Sequence, residues 1–577
     1  MFAKAITAMA LAAGLTASAG NDATLRVTGK WMQVPVMNGA RECLVNAHVG
    51  RTNPFSFHIS ASTNGPDWFF PVDVSRFTGG EIRFKGYPSP NSPPIPYDRI
   101  RFTDTPEYGK DLYREEDRLQ FHFSPIVGWM NDPNGLSYYK GEWHLFYQAV
   151  PFSRSHWMNS WGHAVSKDLV HWKEHAPAVW PDSDGFIASG SGVVDETGSA
   201  GLGKGVQVLF YSRFWCWGTK DPTFTQEMAW SNDGRTYRKY EGNPVLKEIV
   251  KYNRDPKVFW HAPSKKWVMV LYVPKCDGEW NSFRIFNSDD LRNWELASVL
   301  RGARELEAKP WTPECGTHLY ECPELVELPI EGEGGTRWVV WGATGRYSVG
   351  RFDGRTFETE EKDIPQLFSC FGGYYAGQVF NNAPNGRKVR IVWYLNDTPP
   401  RAHFDQAMGL PQDLSLVRTK DGLRLAAKPV RELETLRKGP AVSPEKFCGE
   451  LAELHVTADV ASGSGRVEMD LRGIKIAYDA KKRIMRCSAP GQLKVPRPSL
   501  VAPKALDRDI EWPCPDGRLD VRVFLDRTGF EMFSGDGLLV LPVPNALPSA
   551  DSHRLAAVSE GGVRILRAEA YELRSAW

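Results

Sequence analysis

Three segments of this chain repeat one pattern: SKDLVHW at 166–172, SNDGRTY at 231–237 and SDDLRNW at 288–294, set 65 and 57 residues apart. Each follows a strand-like run or pair of runs, among them EWHLFYQ, VQVLFYS and KKWVMVLYV. The repeating unit therefore reads as a sheet of four antiparallel strands. A period of about 60 residues is somewhat longer than the roughly 40–50 of familiar propeller blades. Residues 118–425 accommodate roughly five such units around a central channel. A β-sandwich whose turns favour Asp and Gly would give a similar local signal, and at this point it stays open.

The flanks are also β-rich. From about 23 to 112, runs such as FSFHIS, WFFPVDVS and EIRFKGY alternate with Gly, Asn and Pro, which predicts a small N-terminal β domain; PSPNSPPIP at 88–96 reads as a linker. Beyond residue 440, the runs GRVEMDLRGIKIAYD, RLDVRVFLDRTGFEMF and VRILRAEAYEL predict a C-terminal β-sandwich over 440–577. Helical periodicity is scarce. The expected fold is all-β: a five-bladed β-propeller followed by a C-terminal β-sandwich and preceded by a small N-terminal β domain.

At the N-terminus, Lys4 precedes an apolar run from Ala5 to about Leu15 and the small triplet Ala17, Ser18 and Ala19. Residues 1–20 thus read as a cleavable signal peptide, too short in its apolar part for a membrane span, and the protein is expected to be secreted or periplasmic. Lys+Arg 70 against Asp+Glu 69 leaves no electrostatic footprint for nucleic acid or an acidic membrane. The 21 Trp, 19 Tyr and 29 Phe instead supply flat apolar surfaces suited to stacking on sugars. Nine cysteines without a repeating spacing predict free thiols rather than a disulfide framework. Cys315, His318 and Cys322 lack a fourth ligand at a familiar spacing, so no metal is expected. GSAGLGKG at 198–205 has the spacing of a phosphate loop but places Gly205 where Ser or Thr would hold magnesium, and a strand follows it rather than a helix.

Three acidic segments stand out. WMNDPNG at 129–135 reads as the entry to a turn, in which Asp132 could serve only as a cap. In NRDP at 253–256, Asp255 beside Arg254 could be a surface ion pair. In YECPEL at 320–325, Glu321 lies in a strand-like context, where an apolar surrounding would demand pairing or protonation. Their joint placement raises all three, because they fall in the first, third and fourth units, whose strands converge on one channel mouth. Three carboxyl groups beside Trp, Tyr and Gln suit glycoside cleavage, which needs a nucleophile, a proton donor and a group that holds the sugar. Glu314 and Glu324 are rival acids.

At these residues the chain resembles glycoside hydrolase family 32, the secreted β-fructofuranosidases that include levanases, inulinases and invertases. WMNDPNG, HLFYQ, WGHAVSKDLVHW, RDPKVF and YECPEL occur in the family's order; GLPQDLSL at 409–416 and FLDRTGFEMFSGDG at 524–537 are similar as well. The resemblance runs from about Gln120 to the C-terminus. It implies a retaining hydrolase of β-fructofuranosyl linkages with Asp132 as nucleophile, Glu321 as general acid and base, and Asp255 as transition-state stabiliser. It further implies that Asn131, Gln148, Trp161, Ser191 and Arg254 line the fructose pocket, that no cofactor is needed, and that the partner is a fructan, fructooligosaccharide or sucrose. Two departures bear on linkage preference: Ala188 stands where an aromatic is common in the family, and RAHFDQAMGLP at 401–411 lacks the Trp usual ahead of that segment. The pair Tyr374 and Tyr375 could replace some of the lost stacking.

Competing readings are a fructosyltransferase on the same scaffold, a non-catalytic glycan-binding propeller, and the inverting five-bladed family 43 enzymes. The presence of all three carboxyls disfavours the second, and the motifs disfavour the third. Levan, inulin and sucrose remain open as substrates, as do exo and endo cleavage.

Overall fold

The computed structural model describes residues 16–17, 21–60, 65–88, 95–108, 112–155, 158–215, 223–274, 281–301, 319–360, 366–367, 373–492 and 506–577. Five antiparallel sheets follow one another between residues 128 and 429. The first comprises Gly128–Tyr139, Glu142–Val150, Ser160–Ser166 and Trp172–Val179. The second comprises Phe186–Asp195, Val206–Trp215, Thr223–Ser231 and Arg238–Lys239. Arg254–His261, Lys266–Val273, Ser282–Ser288 and Glu295–Arg301 form the third. The fourth contains Glu324–Pro329, Thr336–Trp341, Arg346–Phe352 and Phe357–Thr359. The fifth contains Tyr374–Val379, Val389–Tyr394, Gln412–Thr419 and Gly422–Pro429. These are the blades of a propeller, and the first strand of each is the innermost, touching first strands of other blades. The second strands are buried on both faces, as in Glu142–Val150 and Lys266–Val273, because blades pack against neighbours on either side. That is why HLFY and WVMVLYV read as continuous apolar runs rather than as alternation.

The repeated sequence pattern is the turn from the third to the fourth strand of a blade. Asp168 Oδ1 accepts the backbone N–H groups of Val170 and His171. Asp233 does the same for Arg235 and Thr236, and Asp290 for Arg292 and Asn293. The residue after each aspartate is left-handed: Leu169 at φ 67°, Gly234 at 70° and Leu291 at 61°. A fourth copy, with Asp353 accepting from Arg355 and Thr356 and Gly354 at φ 96°, closes the fourth blade. The chain segment Phe404–Asp405 then pairs in parallel with Gly128–Trp129, lacing the end of the propeller back onto its first blade.

Polar side chains tie the innermost strands together along the axis. Lys257 Nζ lies 2.8 Å from Glu324 Oε2 and 3.0 Å from the carbonyl of Val379, while Val379 N–H donates to the same Glu324 oxygen at 2.8 Å. Both side chains are almost fully buried. Gln378 reaches the carbonyl of Gly190, Asn134 accepts from Gly190 N–H, and Asn381 donates to the carbonyls of Gly192 and Val258.

After the propeller, two five-stranded sheets pack into a sandwich around Leu454, Val456, Ile476, Tyr478, Trp512, Val521 and Met532. Its FLDRTGFEMF segment faces the propeller: Phe524 and Phe533 join the propeller's own core. His122 is wholly buried there, with Nδ1 2.8 Å from Asp526 and Nε2 3.6 Å from Glu531. The N-terminal unit folds into a five-stranded and a three-stranded sheet around Phe57, Trp68, Phe70 and Phe84. Thr16–Ala17, inside the stretch expected to be a leader, pairs with Thr24 and Ala23. The rest of that stretch, residues 89–94 of the expected linker, Glu314, Cys315 and His318 lie outside the described residues. Among the described residues, Cys322, Cys448 and Cys514 are free thiols. Residues 198–205 form the connection between two strands of the second blade, with Asp195 capping its backbone.

Burial alone would lower the His122 pKa, but Asp526 and Glu531 raise it from 6.5 to about 9. A folded-state pKa above the unfolded value adds stability that is complete below about 6.5 and fades as pH rises through about 9. Thermal unfolding followed from pH 6 to pH 10 should therefore show a melting temperature that falls across this window. The His122→Gln variant should start lower and show a flatter dependence; an unchanged slope would remove His122 from this role.

Candidate active site

Four of the five innermost strands carry a β-bulge at the same height. Pairing along Gly128–Tyr139 slips between Met130 and Pro133, so Asn131 and Asp132 together face Gln148. The second blade slips between Ile187 and Gly190, bulging Ala188 and Ser189. The third slips between Arg254 and Lys257, bulging Asp255 and Pro256, and the fifth between Tyr375 and Gln378, bulging Ala376 and Gly377. A bulge re-aims side chains that a regular strand would alternate, and it is a place where an inner strand tolerates proline. WMNDPNG is therefore not the entry to a turn, as its Pro and Gly suggested. It lies within one bulged strand.

In the fourth blade the equivalent place is filled by a bend ahead of the strand. Glu321 and Cys322 sit at φ 50° and 40°, and the strand begins only at Glu324, so Glu321 is not in the strand-like context expected for it. Asp255 and Ala376 are also left-handed, at φ 65° and 52°. Four non-glycine residues in this region within one site is a concentration of strain of the kind that functional sites hold in place.

These distortions bring the three carboxylates together around Cys322. Its Sγ lies 3.5 Å from Asp132 Oδ2 and 3.7 Å from Asp255 Oδ2, and its N–H donates to Asp255 Oδ2 at 3.0 Å. Glu321 accepts from Arg254 Nη2 through Oε1 and from the Tyr375 hydroxyl through Oε2. Arg254 also stacks over Tyr272 at 4.7 Å and donates to the carbonyl of Tyr252. Asp132 Oδ2 accepts the Ser189 hydroxyl at 2.6 Å. Asp132 and Glu321 are partly exposed, whereas Asp255 is buried.

Electrostatics separate the three. Desolvation pushes the Asp255 carboxyl well above the usual carboxylate range; Arg254 pulls it back, and Glu321 and Asp132 push it further up. Desolvation followed by the charges of Asp132, Asp255 and Glu321 holds the Cys322 thiol well above its ordinary value, so it stays a neutral S–H donor. The Tyr375 phenol is raised by burial and then by Glu321, and it remains a hydrogen-bond donor. The rival Glu324 lies lower on the axis, committed to Lys257 and Val379 N–H.

Of the expected pocket residues, Asn131 is buried and accepts from Trp129 Nε1 at 3.0 Å. The amide of Gln148 lies 3.1 Å from Ser189 Oγ and is joined by Asn159. Arg254 meets Glu321 directly. Trp161 is fully buried, with Nε1 on the carbonyl of Ala188, and braces the second-blade bulge from behind. Ser191 is also fully buried; its hydroxyl donates to the Pro256 carbonyl and accepts from Val258 N–H, stitching blade two to blade three. Gly190 separates the two serines because its backbone presses against the next strand, where a Cβ would stand 1.9 Å from the Phe210 carbonyl. The pair expected to offer stacking is used otherwise: Tyr374 is in the core with its hydroxyl accepting from Gln412, and Tyr375 serves Glu321. Trp129 and Trp393, in edge contact at 6.4 Å, supply aromatic surface instead, Trp393 also meeting Tyr375 edge-on at 6.0 Å. Sequence reasoning passed over Ser189, Cys322 as a donor, and Trp393. Among the described residues, no group of three or more His, Cys, Asp or Glu could hold a metal.

The arrangement is one carboxylate prepared by hydroxyl and thiol donors, a second held by Arg and Tyr, and a third kept desolvated beside them. It can attack an electrophilic carbon, move a proton and fix hydroxyl groups. The two serines should separate experimentally. Ser189→Ala removes a donor to a charged group, worth about 1.5–3 kcal/mol, and should slow turnover at least about tenfold while leaving the melting temperature nearly unchanged. Ser191→Ala should instead lower the melting temperature and leave turnover per folded molecule close to wild type. The reverse pattern would exchange their roles.

Comparison with known proteins gives the family of the fold that carries this site. The family model described as the glycosyl hydrolases family 32 N-terminal domain matches residues 122–429. A levanase of Bacillus subtilis (strain 168) is 33% identical over 514 residues, covering 81% of this chain and 72% of that protein. An extracellular exo-inulinase of Aspergillus awamori is 28% identical, covering 81% of this chain and 96% of that protein. Among solved structures, that of an exo-inulinase from Aspergillus awamori superposes with a TM-score of 0.69 at 26% identity, covering 81% of this chain and all of that one. A fructofuranosidase from Schwanniomyces occidentalis complexed with fructose gives 0.66 at 25% identity, over 80% of this chain and 99% of that one.

Proposed function

The chain belongs to glycosyl hydrolase family 32, and on that premise we propose that Asp132 is its nucleophile, Glu321 its general acid and base, and Asp255 the group that holds the hydroxyls of the bound fructosyl unit. The protein is a glycoside hydrolase of fructans or sucrose, cleaving β-fructofuranosyl linkages. What carries the assignment of roles is that Asp132 and Asp255, from two blades, both meet Cys322, while its chain neighbour Glu321 meets Arg254, the chain neighbour of Asp255.

In the first half of the reaction Asp132 attacks the anomeric carbon, forming an ester to the fructosyl unit, while Glu321 gives its proton to the departing glycosidic oxygen. In the second half Glu321, now a carboxylate, takes a proton from water; the water oxygen bonds to the anomeric carbon and Asp132 leaves. Retention of configuration follows from the two successive displacements. Ser189 and Cys322 direct a lone pair of Asp132, and Arg254 and Tyr375 fix the rotamer of Glu321. Asn131 and Gln148 sit beside Asp132 as further contacts for sugar hydroxyls; Trp161 and Ser191 support the wall behind them. Exo action is the reading favoured by the names of the relatives, and their description as extracellular favours export through a leader at residues 1–20.

Asp132→Ala and Glu321→Ala should each keep the fold and lose turnover by at least about a thousandfold on levan, inulin or sucrose, whichever the wild type cleaves. Azide should restore part of the Glu321→Ala rate on a substrate with a good leaving group, since the second half then needs no base. A wild-type rate in either folded variant would overturn the roles.

A further inference from the structure

The N-terminal unit does not hang off the propeller; it grips the loops at the carboxylate end. Residues 151–155 leave the strand Glu142–Val150 just past Gln148, opposite the Asp132 bulge. Loop 180–185 leads into the strand that bulges at Ser189, and loop 395–403 leaves the strand that ends on Trp393 and Tyr394. The N-terminal unit touches all three. Trp68 Nε1 donates to the Pro151 carbonyl at 3.2 Å, and Ser60 N–H to Phe152 at 3.0 Å. Ser56 N–H donates to the Pro181 carbonyl at 2.8 Å, and Asn53 accepts from Ser183 N–H. Trp68 also packs on His403, ring centroids 5.6 Å apart.

One turn of this unit does more. Residues 37–42 connect the strands Trp31–Val36 and Glu42–Val49. At one end of the turn Asn38 donates to the carbonyls of Pro400 and Ala402, on the fifth-blade side. At the other, Glu42 accepts the hydroxyls of Ser153 and Ser155, on the first-blade side. Between them, Arg154 binds the carbonyls of Thr398 and Pro399 and lies 3.4 Å from Asp405. The turn thus spans the seam where the last blade meets the first. From there the contacts continue inward: Asp397 to Gln406, Gln406 to Trp393, Trp393 to Trp129 and Tyr375, and Tyr375 to Glu321. In the other direction Asn159 joins Gln148, and its carbonyl accepts from Ile187 N–H. Burial would raise the Glu42 carboxyl, yet the His58 ring 3.8 Å away and the hydroxyls of Ser153 and Ser155 bring it to about 2, so it is an anion at neutral pH.

We propose that the turn 37–42 is an outer wall of the sugar-binding mouth, with Glu42 a positioning residue that holds loop 151–155 where fructosyl units beyond the one being cleaved are received. This rests on the fructoside-cleaving reading of the carboxylate site. A chain whose terminal unit reaches Asp132 must leave over the rim of the mouth, and on the seam between blades five and one that rim is built by the N-terminal unit. A substrate of two sugars does not extend so far. Glu42 therefore bears on long chains and not on the chemical step.

The test compares wild type, Glu42→Ala, Glu42→Gln and Ser153→Ala/Ser155→Ala on fructans of increasing length, from the shortest fructoside that the wild type cleaves up to levan and inulin. Glu42→Ala and the double serine variant should raise KM for the long substrate about tenfold, the effect of losing hydrogen bonds to a charged group. Both should leave kcat on every substrate, and KM for the shortest, within about twofold. Glu42→Gln, which still pairs with two hydroxyls, should recover most of the loss. Should Glu42→Ala fold poorly by thermal unfolding, the double serine variant, which keeps the carboxylate, decides alone. Equal losses on short and long substrates, or no change in KM with length, would overturn the positioning role. A wild type that cleaves no fructoside would instead defeat the underlying reading, and the proposal with it.

Discussion

Lys257 and Glu324, buried on the propeller axis, are the contact on which the site depends. An ion pair taken out of water needs hydrogen bonds beyond the pair itself, and the backbone of Val379 supplies one to each partner: its carbonyl takes Lys257 and its N–H gives to Glu324. The triad joins blades three, four and five at one level. Asn134, Gln378 and Asn381 extend the same level to blades one and two. Lys257 is two residues from Asp255, Glu324 three from Glu321, and Asn134 two from Asp132. The three carboxylates Asp132, Asp255 and Glu321 therefore stand one layer above a fixed polar ring. Removing one partner would leave a buried charge without compensation, and with it the spacing of the carboxylates.

Above that ring the chain departs from regular structure in each blade. Four strands bulge and the fourth blade bends, at positions that correspond from blade to blade. A regular five-fold array would turn every second side chain toward its neighbours. The bulges seat two consecutive residues of an inner strand opposite one, so that Asn131 and Asp132 both reach the mouth in the first blade and Asp255 stands there beside the paired Arg254 in the third. The left-handed residues at Asp255, Glu321, Cys322 and Ala376 store strain that the packed blades below can sustain. The sandwich packs on the propeller core where His122 meets Asp526 and Glu531, and the N-terminal unit holds residues 153 and 155 at the rim through Glu42.

Much of this was legible in the sequence, and what was hidden has identifiable causes. The blade repeat could be read because the turn after the third strand needs an acceptor at Asp and a left-handed successor, which narrows the residues allowed. Its fourth copy, at Asp353, escaped because Arg351 stands where the other three have Ser. Motifs singled out Asp132, Asp255 and Glu321, but their local structure was misread. Pro and Gly mark bulges as readily as turns, so WMNDPNG looked like a turn, and YECPEL looked like a strand although its acid lies on the bend ahead of one. A bulge also shifts the parity of side chains, and alternation along ASGSG could not tell whether Ser189 or Ser191 meets the carboxylate. Lys257, in full view in RDPKVF, carried a signal of its own, since a lysine on an inner strand of a propeller must find an anion.

The account stands on Asp132 being the group that bonds to the sugar. The most direct measurement is mass spectrometry of the Glu321→Gln variant after brief reaction with a fructoside bearing a good leaving group, followed by proteolysis and mapping of the modified peptide. With the first half of the reaction still able to proceed and the second deprived of its base, the variant should accumulate one fructosyl ester, located on Asp132. No adduct while the leaving group is still released, or an adduct on Asp255 or another carboxylate, would contradict it.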